Sequence, residues 1–169
     1  MSDTLPALDD ETLAFAERVF DAARSGATAE LQALLQQGLP ADLRNHKGDS
    51  LVMLASYHGH LETVAMLLDH GADADLRNNN GQTPLAGAVF KGNLPMLELL
   101  LAKGADVEGA TPDGKTALMM AAMFNQGAAI DVLLAHGANQ QAREQGGLSA
   151  LDLAQRMNTA QALERLQTV

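Results

Sequence analysis

The sequence predicts an all-α fold, a solenoid of stacked helical repeats with short β-turn or hairpin tips, and three columns of residues predict it. Gly38, Gly71, Gly104 and Gly137 stand 33 residues apart, a period that marks a stack of near-identical units. Ala22, Ala55, Ala88, Ala121 and Ala154 recur at the same spacing, as expected where two helices approach too closely for a larger side chain. Ser50, Thr83, Thr116 and Ser149 form the third column, each placed to accept a hydrogen bond from an otherwise unpaired N–H at the start of a helix. In such a stack each unit buries its apolar face only against its neighbours, and binding falls to the exposed columns that run from unit to unit.

Residues 1–8 read as a flexible leader, and residues 9–169 as a single domain of five repeats, about 13–45, 46–78, 79–111, 112–144 and 145–169, the first and last acting as caps. Asp9, Asp10 and Glu11 place acidic residues at the N-terminal end of a longer first helix, where the helix dipole favours them. In the unit 46–78, Asp49 and Ser50 open a helix to about His58, Gly59 and His60 turn the chain, and a second helix runs to about Asp69, ended by Gly71. Pro84 falls at a first helical position, where no N–H is needed. The turn between paired helices requires positive φ, and its column reads Gly26, Gly59, Gly92, Asn125, Asn158; asparagine is the commonest substitute for glycine in that conformation. Leu31, Val64, Leu97, Ile130 and Leu163, with Leu34, Leu67, Leu100, Leu133 and Leu166 three residues on, form the apolar stripe of the second helices. The column Leu35, Leu68, Leu101, Leu134 ends in Gln167, giving the terminal unit the polar outer face it requires. Between units, the connector 41–45 recurs verbatim as 74–78, and Gly48, Gly81, Gly114 and Gly147 mark protruding tips.

With these motifs at constant spacing, the chain from about residue 13 to 169 resembles the ankyrin-repeat family. Its nearest local matches are Asn80-Gly-Gln-Thr-Pro-Leu85, Gly59-His-Leu-Glu62 and Leu67-Leu-Asp-His-Gly-Ala-Asp73. One departure stands out: the family's usual histidine after Thr-Pro-Leu is replaced by Met53, Ala86, Met119 and Asp152. The hydrogen bonds that histidine makes to the hairpin are therefore expected to be absent or made differently, with loosened tips as a consequence.

Composition bounds the function. A chain of 169 residues that is 47% hydrophobic and 19% charged suits one soluble folded domain. The absence of cysteine excludes disulfides, thiolate metal sites and cysteine nucleophiles. No segment approaches the roughly 18 apolar residues of a membrane span, and the N-terminus lacks the pattern of a signal peptide, so a cytoplasmic location is expected. A net charge of −10 argues against binding nucleic acid or an anionic membrane through the overall field.

Nothing in the sequence assembles a catalytic constellation, and no cofactor or metal is expected. His70 and His136 share a column but lie two units apart, roughly 20 Å if helices pack at 8–10 Å per layer, too far for one metal ion. With Lys103 between them they place basic groups at the C-terminal ends of successive second helices, which suits the dipole. His58 and His60 straddle a glycine turn, and His60 is read as a turn partner. The carboxylate pairs Asp73/Asp75 and Asp106/Glu108 fall in the solvated connectors. No phosphate-cradling loop or nucleophile elbow is present, and the chain is read as a non-enzyme.

The resemblance implies that a partner docks on the concave face, made of the hairpin tips and the exposed end of the first helices. The positions of that face hold Arg24, Arg44, Lys47, Arg77, Lys91, Lys115, Arg143 and Arg156, eight of the 11 basic residues, against Asp49 and Asp113 alone among the 21 acidic ones. Their net charge is +6, leaving −16 elsewhere in a chain of −10. His58 and the large apolar residues Tyr57, Phe90, Met123, Phe124 and Met157 share the same columns. Any one of these apolar residues, taken alone, reads as core, but their coincidence with the segregated arginines is the composition of an interface anchor. The expected function is a non-catalytic protein–protein interaction module, an adaptor, inhibitor or protective partner, that binds a protein with an acidic and apolar surface. An accessory stabiliser of a stress-defence or redox enzyme and an immunity-type partner of a toxin are the alternatives. The chain is expected to be a monomer, with weak head-to-tail self-association, acidic back to basic front, as the competing geometry.

Overall fold

Four of the first helices open on the same device. In the computed structural model, which describes residues 9–168, the hydroxyls of Ser50, Thr83, Thr116 and Ser149 accept from the backbone N–H three residues on, at 3.1–3.3 Å. All four caps are buried, and a cap of this kind contributes about 1 kcal/mol. They start α3 (Leu51–Tyr57), α5 (Pro84–Lys91), α7 (Ala117–Met123) and α9 (Ala150–Met157). The first unit differs: α1 (Asp10–Ser25) is longer, and Asp9 caps it by accepting from the Thr12 N–H at 2.7 Å. That bond holds the Asp9 carboxyl below its ordinary pKa.

Each first helix is followed by a tight turn and a second helix: α2 (Thr28–Gln36), α4 (Leu61–Asp69), α6 (Leu94–Ala102), α8 (Gly127–Ala135) and α10 (Ala160–Leu166). The turn residues Gly26, Gly59, Gly92, Asn125 and Asn158 all have φ between 53° and 81°, as the sequence predicts. Asn125 does more than a glycine could, because its Oδ1 accepts from the N–H groups of Gln161 and Ala162 in the next unit. The residue after the turn also reaches between units. His60 Nε2–H donates to the Arg24 carbonyl at 2.8 Å, Gln126 to that of Val89 at 2.6 Å and Thr159 to that of Ala122 at 2.8 Å.

First helices stack on first helices in the order α1, α3, α5, α7, α9, and second helices stack behind them as α2, α4, α6, α8, α10. The core runs between these layers. Ala55, Ala121 and Ala154 are fully buried where the helices approach, and Leu31, Val64, Leu97 and Ile130 are at most 1% exposed. Burying an aliphatic side chain of this size contributes about 1.5–3 kcal/mol. At the C-terminal end the stripe loses its neighbour: Leu163 is half-buried and Gln167 is exposed. No helix among the described residues is long and apolar enough to cross a membrane.

The connectors use their carboxylates as acceptors between units. Asp42 accepts from the Asp73 N–H at 2.8 Å, Asp75 from that of Asp106 at 2.9 Å and Glu108 from that of Asn139 at 2.6 Å. Without that histidine, the hairpin tips are hydrogen-bonded by side chains of their own turns. Asn45 and Asn78 accept from two N–H groups of their own turns, Thr111 from the Lys115 N–H and Glu144 from the Leu148 N–H. Among the described residues the tips form no named strand, only a single antiparallel bridge between Arg44 and Ser50.

Candidate interaction face

The exposed sides of the first helices and the hairpin tips form one continuous face. Tyr57, Phe90, Phe124 and Met157 stand on it at 50%, 61%, 44% and 55% exposure, far more than side chains this apolar normally retain. Tyr57 and Phe90 occupy equivalent positions, whereas Phe124 and Met157 lie one residue further along. Phe90 and Phe124 meet edge to face at 5.9 Å, so the apolar line crosses from one column to the next without a break. Met123 departs from the expectation. It is half-buried and packs against the core, leaving Phe124, the residue that ends α7, to carry the line.

The eight predicted basic residues fall into three groups. Arg24 pairs with Asp21 at 2.6 Å, Lys115 with Asp113, and Arg143 with Asp152 at 3.4 Å. Lys115 and then Thr111 hold the Asp113 carboxyl below its ordinary pKa, and the Ser149 N–H and hydroxyl do the same for Asp152. Arg44 and Arg77 are held by backbone carbonyls: Arg44 donates to Gly48 at 3.0 Å and to Arg77 at 2.6 Å, while Arg77 donates to Gly81 at 2.9 Å and to Ala110. They brace neighbouring tips and keep their charge, since carbonyls carry none. Lys47, Lys91 and Arg156 are exposed, with no carboxylate within salt-bridge distance among the described residues. Lys91 lies over the Tyr57 ring at 4.2 Å, a cation–π contact, and His58 meets the edge of the same ring at 5.6 Å.

Among these cations Lys47 lines a groove of about 680 Å³ between the tips of the second and third units and α3 and α5, and Lys91 stands over Tyr57 of the same lining. Its lining combines aromatic and aliphatic side chains, including Tyr57, Phe90 and Met53, with the amides of Asn78, Asn80 and Gln82. Asp49 is the acidic residue of this lining, and its carboxylate accepts from the Asn45 and Asn78 amides. His46, Asn79 and Asn80 stand in columns that the sequence already assigns to the face, whereas Gly87 lies outside those columns. It was nevertheless legible, since it interrupts a column otherwise filled by Leu54, Met120 and Leu153.

Comparison with known proteins agrees with this architecture. Residues 19–110 match the family described as "Ankyrin repeats (3 copies)", and residues 113–144 match "Ankyrin repeat". A Pseudomonas aeruginosa protein described by name only as an ankyrin repeat protein is 64% identical over 61 residues, 36% of each chain. The match thus spans about a third of that relative's length. Paired helices capped by one hydroxyl column, turned on one positive-φ column and matched by family over more than half the chain lead to one conclusion: the chain belongs to the ankyrin-repeat family, whose repeats generally mediate protein–protein interactions.

Proposed function

We propose that the protein is a non-catalytic interaction module that docks a partner protein, through the face described above, by an acidic surface carrying apolar anchors. The observation that carries this reading is the exposed line of Tyr57, Phe90, Phe124 and Met157 beside Lys47, Lys91 and Arg156, which no carboxylate among the described residues neutralises. Apolar anchors supply most of the affinity of such an interface, and complementary charge raises the association rate and rejects wrong partners. Nucleic acid fits less well, because the acidic remainder of the chain repels phosphate at the rim and no base-reading motif accompanies the cations.

Capture from the native host with wild type and a Lys47→Glu, Lys91→Glu, Phe90→Ala variant, each quantified by mass spectrometry, tests the proposal. These positions avoid the arginines that brace the tips, so the variant changes the face and leaves the stack intact. A protein enriched by wild type and lost from the variant, with retention falling as salt rises, is the expected result. Identical capture profiles would overturn the reading.

A further inference from the structure

The floor of the groove has a gap. The first-helix column Leu54, Gly87, Met120, Leu153 presents an aliphatic side chain in every unit from the second to the fifth except the third. Leu54 and Leu153 are buried and Met120 is half-buried. At Gly87 a Cβ would meet no heavy atom within 4 Å. Gly87 lies inside α5 and is not among the positive-φ residues, so the backbone does not require glycine there. Mid-helix glycine is ordinarily unfavourable relative to alanine. The residue thus leaves a notch in a groove whose lining also includes Leu54, Met120, Ala86, Tyr57 and Phe90.

We infer that this notch is the specificity pocket of the docking face, and that it receives one aliphatic side chain of leucine or methionine size from an extended acidic segment of the partner. The inference rests on the proposed function above and adds to it the identity of the anchor and its seat. The missing side chain in the column sets the size of the guest, because neighbouring units fill the same place with Leu54 and Met120. Charge sets its flanks: Lys47 in the groove lining and Lys91 over Tyr57 are exposed and unpaired with carboxylate among the described residues, while Asp49 is engaged by amides. Asn80 faces the groove and its side chain makes no hydrogen bond among the described residues, unlike Asn45, Asn78 and Asn79. Its amide can both donate to and accept from the main chain of an extended segment.

The test uses the full chain and short, capped, fluorescein-labelled peptides in which one variable residue sits between glutamates, with a lysine-flanked leucine peptide as control. Wild type is expected to bind the leucine and methionine probes about tenfold or more tighter than the alanine probe, and the lysine-flanked peptide far more weakly. Gly87→Met fills the notch and abolishes the leucine-over-alanine preference; Gly87→Ala reduces it. Both variants should melt at or above the wild-type temperature, because side chains replace glycine in open space within a helix. If Gly87→Met retains the preference while Lys47→Glu with Lys91→Glu abolishes binding, the notch is overturned and the docking face stands. If wild type binds no glutamate-flanked probe, or prefers the lysine-flanked one, both readings fall.

Discussion

The second and third units and the fourth and fifth units build their faces from the same columns, yet they present different surfaces. On the side of the first pair Arg44, at the end of the first unit, and Arg77 donate to carbonyls, and Lys47 and Lys91 have no carboxylate partner among the described residues, so the charge survives beside an open groove. In the second pair Lys115 and Arg143 are matched by Asp113 and Asp152, leaving Arg156 as the unmatched predicted cation. The apolar line continues through both. A repeat therefore fixes where side chains stand, whereas the choice between an acidic and a neutral acceptor fixes whether the charge there is available. The prediction is that affinity resides in the first pair and that the second extends contact with little energy of its own.

The largest effect should separate the two pairs directly. Tyr57→Ala and Phe90→Ala should each weaken partner binding by about 30-fold or more, the scale of a buried aromatic anchor. Met157→Ala, on the matched side, should stay within about threefold, and Phe124→Ala should fall between because its ring supports Phe90. Titration calorimetry with the captured partner reads all four. An equal loss from Met157→Ala would spread the interface over the whole stack and end the distinction. Next in size is a gain: Asp113→Asn releases Lys115, and the association rate measured by stopped flow at low salt should rise severalfold, then return to wild type as salt screens the added charge. An unchanged rate would show that the partner never approaches the fourth unit.

These contrasts were only partly legible in the sequence. The hydroxyl caps, the asparagines standing in for glycine and the buried alanine column could all be read, since each depends on local backbone requirements that repeat every unit. The partners of the cations could not. Asp152 lies nine residues from Arg143 and reaches it across the start of a helix, and nothing in the spacing shows that Arg44 and Arg77 turn toward carbonyls. Met123 was misplaced for a related reason: one residue rotates about 100° around a helix, and near the end of α7 that step decides whether Met123 or Phe124 faces solvent. Which groups close the tips was legible only in part, because the repeated Asn45 and Asn78 give way to Thr111 and Glu144 at the same position of later units.

Two carboxylates test the comparison by pH, with opposite signs. Burial, and then the charges of Asp106 and Asp73, hold Asp75 above its ordinary value of 3.8, although the Asp106 N–H and Arg77 oppose the shift. Its ionised form is thus disfavoured by folding, a cost fully present at neutral pH and absent once pH falls below the unfolded value. Asp75→Asn, which keeps an acceptor for the Asp106 N–H, should raise the urea midpoint at pH 7, with the gain fading as pH is lowered. Asp152 is held below 3.8 by Ser149, so its contribution is present above the unfolded value and is lost as pH falls through the lower folded one. Asp152→Asn should lower the midpoint at pH 7, and the difference should close only in stronger acid. Two variants shifting in the same direction would mean that neither connector nor cap charge controls stability.

The smallest effect concerns the junction between the two pairs. The Asn79 N–H donates to the Lys47 carbonyl at 2.9 Å and the Gln145 N–H to that of Asp113 at 3.0 Å, lacing the tips within each pair. Between the pairs the equivalent residue is Pro112, which has no N–H to give to Asn80. Pro112→Asn restores the donor and should lace all four tips into one run. Global stability should change by less than about 1 kcal/mol, since the added hydrogen bond is offset by the freedom that losing proline returns to the unfolded chain. The new amide at residue 112 should nevertheless exchange as slowly as those of Asn79 and Gln145. Exchange at 112 remaining fast, with those two protected, would mean that the third and fourth tips are set apart by more than one missing donor, and that the two halves of the face are separate bodies at their rims.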